Sequence, residues 1–216
     1  MGKDKLRKFS EINEFSNVYQ LEEGYANKGK WAQAHFKNEN PLVLELACGK
    51  GEYALGMARI YPDKNYMGLD LKGNRIWRGA KSGMEENITN LAFLRIQIED
   101  ILDYFGPAEV AEIWITFADP QPRESREKKR LTSSIFIEKY RQILKPGGKI
   151  NLKTDNDMLY HYTLDKIAEL NLVLHKSTAD LYQSDLVDDV LSIKTHYENI
   201  YLKKQKNINY VQFSLS

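Results

Sequence analysis

Leu42-Val43-Leu44-Glu45-Leu46-Ala47-Cys48-Gly49-Lys50-Gly51 is the stretch on which the fold of this chain turns. Its first five residues form a short, mostly apolar run, as in a buried strand. Two glycines follow, which let the backbone bend sharply and leave no Cβ in the way of a ligand. Beyond them, Tyr53 to Tyr61 carries Ala54, Leu55 and Ala58 at helical spacing, and Pro62 ends the run.

The same alternation continues outward. Tyr66 to Asp70 is a predicted second strand, and Asn74 to Met84 a helix weakened by Gly79 and Gly83. Ala92 to Ile98 and Ala111 to Phe117 are the third and fourth strands. Thr132 or Ser133 can cap the next helix, whose apolar face is Phe136, Ile137, Tyr140, Ile143 and Leu144. Lys145-Pro146-Gly147-Gly148 stops it. Lys149 to Thr154 is a fifth strand, Asn156 to Leu170 a helix, and Leu172 starts a sixth strand. A helix around Thr195 and a strand near Tyr210 to Phe213 close the chain. This pattern predicts an α/β, Rossmann-like, doubly wound, mostly parallel sheet over residues 31–216, one domain. Residues 1–30 are polar and weakly patterned, and read as a basic N-terminal arm, partly disordered, with room for one short helix.

With 216 residues, one α/β domain has a sufficient core. Apolar residues are 42% and charged residues 28%, ordinary for a globular chain. No apolar run is long enough to span a membrane, and the basic N-terminus has no apolar stretch behind it, so no signal peptide is expected. One Cys, Cys48, and four scattered His exclude an internal disulfide and give no metal-ligand spacing. A cytoplasmic location is expected, without a membrane or metal partner. The net charge of +1 hides two basic clusters: Lys3, Lys5, Arg7 and Lys8, and Arg123, Arg126, Lys128, Lys129 and Arg130. These are either solvated faces or contacts to an anionic partner.

In such a sheet, ligands bind where the strands end and their order reverses. A dinucleotide site needs G-x-G-x-x-G, and here position 54 is Ala. The charge of Glu45 would repel a pyrophosphate but suits a cationic ligand. S-adenosylmethionine carries a sulfonium and an ammonium and no phosphate. The form Glu45-x-x-x-Gly49-x-Gly51 therefore favours the methyl donor, with Asp70 placed to accept ribose hydroxyls. Gln97, Glu99 and Asp100 follow the third strand, and Asp119-Pro120-Gln121-Pro122-Arg123 follows the fourth. The prolines hold that segment extended, putting Asp119 at the pocket mouth beside cations of the number a nucleic-acid backbone requires. Asp155 is either a substrate contact or a cap for the following helix, and Thr195-His196-Tyr197-Glu198 by itself looks like any late helix.

Taken together, these residues resemble the bacterial tRNA (guanine-N7)-methyltransferases from about Leu42 onward. The specific stretches are Asp119-Pro120-x-Pro122-Arg123 through Lys129-Arg130-Leu131, Lys153-Thr154-Asp155-Asn156, and Thr195-x-Tyr197-Glu198. The resemblance implies a seven-stranded sheet with an antiparallel last strand, and methylation of N7 of guanine 46 in the tRNA variable loop. It places Glu45, Asp70, Gln97 and Asp119 on S-adenosylmethionine, with Glu99 able to share the part of Gln97. Asp119 would stand between donor and guanine as the catalytic residue. Arg123, Asp155, Thr195, His196, Tyr197 and Glu198 would contact tRNA, and Arg126, Lys129 and Arg130 its phosphates. This chain departs from the family at Ala47 (usually Gly), Gln121 (usually Trp), Arg123 (usually Lys) and Arg126 (in place of a His). A class I methyltransferase acting on another RNA or a small molecule is the alternative, as is a non-catalytic RNA-binding subunit. Monomer and homodimer both stay open.

Overall fold

A computed structural model describes residues 3–20 and 22–215. The chain runs through α1 (Lys3–Glu11), a 3-10 turn (Ile12–Glu14), β1 (Val18–Gln20), α2 (Glu22–Tyr25) and a π-helical turn (Ala32–Phe36). The alternating part follows: β2 (Leu42–Leu46), α3 (Glu52–Ile60), β3 (Asn65–Asp70), α4 (Gly73–Glu85), β4 (Leu91–Arg95), α5 (Ile101–Tyr104) and β5 (Val110–Thr116). Then come α6 (Ser134–Ile143), β6 (Leu144–Thr154), α7 (Asp157–Glu169), β7 (Val173–Thr178), α8 (His196–Lys203) and β8 (Asn209–Ser214).

The strands form one sheet in the order β1-β4-β3-β2-β5-β6-β8-β7. All neighbours are parallel except β8, which lies antiparallel to both β6 and β7. The sheet has eight strands, correcting the expected seven. The additional one is β1, from the stretch read as an arm, where Val18, Tyr19 and Gln20 pair with Phe93, Leu94 and Arg95. Three residues are too few to show a strand's period of two. Residues 1–2 and the Lys3 side chain, part of the expected basic arm, lie outside the described set.

Both faces of the sheet are covered, which is why all five residues of β2 are buried. Leu42, Leu44 and Leu46 point into a core with Phe136, Tyr140 and Leu152. Val43 points to the other side, among Tyr53, Trp77, Phe93 and Trp114. Gly79, a weak point in a helix by propensity, has a packing reason. A Cβ there would stand 2.5 Å from the Lys50 carbonyl oxygen and 3.2 Å from Gly51 Cα. Its absence lets α4 close directly onto the loop between β2 and α3.

Candidate active site and nucleic-acid interface

Strand order reverses at β2, which has β3 on one side and β5 on the other. A cavity of about 320 Å³ opens at the ends of these strands. Ala47 comes from the end of β2, Asp70 and Leu71 from β3, Gln97 and Glu99 from beyond β4, and Ala118, Asp119 and Gln121 from beyond β5. Ile96, Ile98, Leu131 and Phe136 supply apolar wall. Apolar walls with a few convergent polar groups are what a small-molecule site requires.

The loop after β2 is held in a left-handed backbone, with φ of 55° at Ala47, 55° at Gly49 and 67° at Gly51. The last two are glycines, which adopt it freely; Ala47 adopts it against its Cβ. Asp70 fixes the loop: one carboxylate oxygen accepts the Gly49 N–H at 2.9 Å and the other the Lys72 N–H at 2.8 Å. Each oxygen keeps a second lone pair, so Asp70 can also accept from a ribose at the cavity it lines.

Glu45 does not reach the cavity. It is 1% exposed, on the α3 side of β2, and accepts hydrogen bonds from the Ala54 N–H at 2.8 Å and the Thr116 hydroxyl at 2.5 Å. Burial pushes its carboxyl up to about 8, with those two hydrogen bonds pulling the other way. Glu45 therefore ties the loop, α3 and β5 together from behind. Gly49 and Gly51 shape the loop: a Cβ at Gly51 would run into the Phe93 ring, whereas one at Gly49 would meet nothing within 4 Å.

Asp119 is exposed at the mouth, and its Oδ1 accepts the Gln121 N–H at 3.0 Å. Gln121 is itself at φ 47° and its carbonyl accepts from Arg130 Nε at 3.2 Å. Arg126 and Lys129 stand in the cavity wall, and Arg123 and Lys128 are exposed beside it. Arg130, expected on phosphates, is instead buried, with its guanidinium 4.4 Å from the centre of the Tyr162 ring. Its position anchors Gln121 and the segment that carries Asp119.

The two later motifs meet each other. Lys153, which the sequence reading left without a role, is fully buried and pairs with Glu198 at 2.8 Å. Its Nζ also donates to the carbonyls of Leu191 and Ile193, at 2.8 and 3.0 Å. Burial holds its ammonium below its usual range, against the Glu198 charge. Glu198 also accepts the Tyr182 hydroxyl, at 2.5 Å. Thr195 caps α8: its hydroxyl accepts the Glu198 N–H while the Glu198 side chain reaches back to the Thr195 N–H. Thr-x-x-Glu is the sequence signature of that box, and it was available in the residues. Thr195 and Glu198, expected at the tRNA, are thus buried holders of α8, while His196 and Tyr197 stay exposed. Asp155 is paired with Lys206 at 2.7 Å; the helix that follows is capped by Asn156, whose side chain accepts the Leu159 N–H. Arg7 and Lys8 of the first basic cluster are likewise engaged, by Asp4 and Glu11.

Known proteins resemble this chain in sequence and in fold. Residues 39–211 match the Methyltransf_4 methyltransferase family model. A tRNA (guanine-N(7)-)-methyltransferase of Bacteroides thetaiotaomicron is 46% identical, covering 100% of this chain and 87% of that protein. The chain belongs to this methyltransferase family. A Christiangramia forsetii enzyme of the same description is 44% identical over 99% of both chains. Among solved structures, the 16S rRNA methyltransferase KamB superposes with a TM-score of 0.63 at 16% identity, over 85% of this chain and 92% of that one. The 16S rRNA (adenine(1408)-N(1))-methyltransferase of Catenulisporales acidiphilia, solved with S-adenosylmethionine, gives 0.58 at 12%, over 86% and 89%. At these identities the two structures show a shared fold. For this family member, the expectation of an α/β sheet with an antiparallel last strand holds. Among the described residues no His, Cys, Asp and Glu group could hold a metal, and no helix is long and apolar enough to cross a membrane.

Proposed function

We propose that this methyltransferase moves the methyl group of S-adenosylmethionine to N7 of a guanine in tRNA, the guanine at position 46 of the variable loop. The observation that carries this reading is the wall shared between a methyl-donor cavity and a basic segment. Asp70, Gln97 and Asp119 line the same 320 Å³ space as Arg126 and Lys129. The names of the relatives agree with tRNA as substrate.

The residues suit the cosubstrate. Asp70 is available to ribose hydroxyls, Gln97 and Glu99 stand beyond β4, and the apolar wall accepts a base. When bound, S-adenosylmethionine supplies a methyl group on a positively charged sulfur. Guanine N7 has a free lone pair, so its methylation would need no general base from the protein. What remains for the protein is to align the two and favour the charge that appears on the purine. Asp119 is the carboxylate at the mouth that does this, fixed by Gln121 N–H. Arg123, Arg126, Lys128 and Lys129 hold phosphates, with His196 and Tyr197 presented on the α8 side. A cytoplasmic setting follows from a tRNA substrate.

The test is transfer of labelled methyl to unmodified tRNA, beside a tRNA whose variable-loop guanine is replaced. Labelling confined to the first is expected; equal labelling of both would overturn the site. Asp119→Asn should lower turnover roughly a hundredfold, the scale for losing one fixed electrostatic partner, while methyl-donor affinity changes far less.

A further inference from the structure

Residues 71–84 contain no acid, yet carry Lys72, Arg75, Arg78 and Lys81. Lys81 is engaged by Glu85 and the Trp77 ring. Lys72, Arg75 and Arg78 have no ion pair or side-chain hydrogen bond among the described residues. At about 100° per residue, Arg75 and Arg78 fall on the side of α4 that turns from Gly79 toward solvent, and Lys72 caps the same end of the helix. Lys72 and Arg78 are exposed and Arg75 is half-buried.

Helix stability does not account for this arrangement. Of the helices of eight or more residues, α1, α3, α7 and α8 place an acid in the first turn, as the helix dipole favours, and α4 and α6 do not. In α4 the first turn has no acid, Lys72 is the capping residue and Arg75 follows. Cations at that end are opposed by the dipole, and three neighbouring cations repel one another. A local charge conflict retained without an internal partner points to an external anion. Leu71, next to Lys72, lines the cavity, as do Arg126 and Lys129 from the far side of β2. The cavity thus lies between two basic banks.

We propose that Lys72, Arg75 and Arg78 are a second phosphate-binding surface, which holds the tRNA backbone on the β3 side while Arg123 to Lys129 hold it on the β5 side. This rests on the tRNA reading above. Two separated banks fix the orientation of an RNA over the mouth, which one bank cannot do, and they leave the base edge to the cavity.

The test uses the full chain with Lys72→Gln, Arg75→Gln and Arg78→Gln together, titrated with unmodified tRNA across a salt series. Affinity should fall at least about tenfold at moderate salt, and the slope of log affinity against log salt should flatten by about 2–3. Methyl-donor affinity, measured by calorimetry, should stay within about twofold. A companion carrying Lys72→Arg, Arg75→Lys and Arg78→Lys should keep tRNA affinity. Unchanged affinity and slope in the glutamine variant would overturn the proposal. So would joint loss of tRNA and methyl-donor binding, which would assign these residues to holding the loop. A wild-type chain that fails to bind tRNA would overturn the parent reading, and this one with it.

Discussion

Lys153 Nζ lies 2.8 Å from a carboxylate oxygen of Glu198, and neither side chain is exposed to solvent. Removing one partner strands the other charge in the interior, at a cost of about 3–5 kcal/mol. Lys153→Met and Glu198→Leu should each lose that much in denaturant unfolding. The double variant should lose much less than their sum, since both charges leave together. Additive losses would show that the two side chains act independently.

Glu45 makes stability depend on pH. Its carboxyl is raised from 4.5 to about 8 in the folded state. A raised acid favours folding below its unfolded value, and that contribution is lost as pH climbs through the folded value. Wild-type stability should therefore decline between about pH 4.5 and 8, by up to several kcal/mol. Glu45→Gln keeps an acceptor for the Ala54 N–H and should flatten the profile. Parallel curves for the two proteins would refute the assignment.

Ala47 holds φ at 55°, where a Cβ costs about 1–2 kcal/mol. Glycine relieves this but frees the unfolded chain, at about 0.4–1 kcal/mol. Ala47→Gly should thus raise stability by roughly 0.5–1 kcal/mol, visible as a higher denaturant midpoint at an unchanged slope. A lower midpoint would mean that the Ala47 methyl contributes wall contacts worth more than the strain.

Gly79→Ala should do the opposite of what helix propensity says. In an open helix the change gains about 1 kcal/mol. Here the new methyl meets the Lys50 carbonyl at 2.5 Å, a backbone atom that cannot swing away. A net loss of about 1–3 kcal/mol is expected, the range for overpacking. It should come with weaker methyl-donor binding, because the displaced backbone is the loop itself. A thermal melt and a donor titration on the same sample check both.

The alternation of strands and helices was legible because each strand is a short apolar run between turn signals. It brings Asp70, Gln97, Glu99 and Asp119 to one cavity, as their places at strand ends implied. Depth was harder to read. Glu45 lies on the Val43 side of β2, and only the packing of α3 on that side shows that it is sealed in. Arg130 sat in a run of apparently equivalent cations; what separates it is Tyr162, a partner from α7 that no local pattern announces. Lys153 and Glu198 are far apart in the chain, and each alone looks like a surface charge. Their meeting is a property of topology.

That topology also sets an order of events. β8, the last of the eight strands in chain order, is an interior strand, filling the slot between β6 and β7. Until Asn209–Ser214 exists, β6 ends the sheet and β7 has no neighbour to pair with. During synthesis the half that carries the cavity, β2 to β5, can assemble early. The far half waits for Asn209–Ser214, so the growing chain forms the strands around its cavity before its sheet is whole.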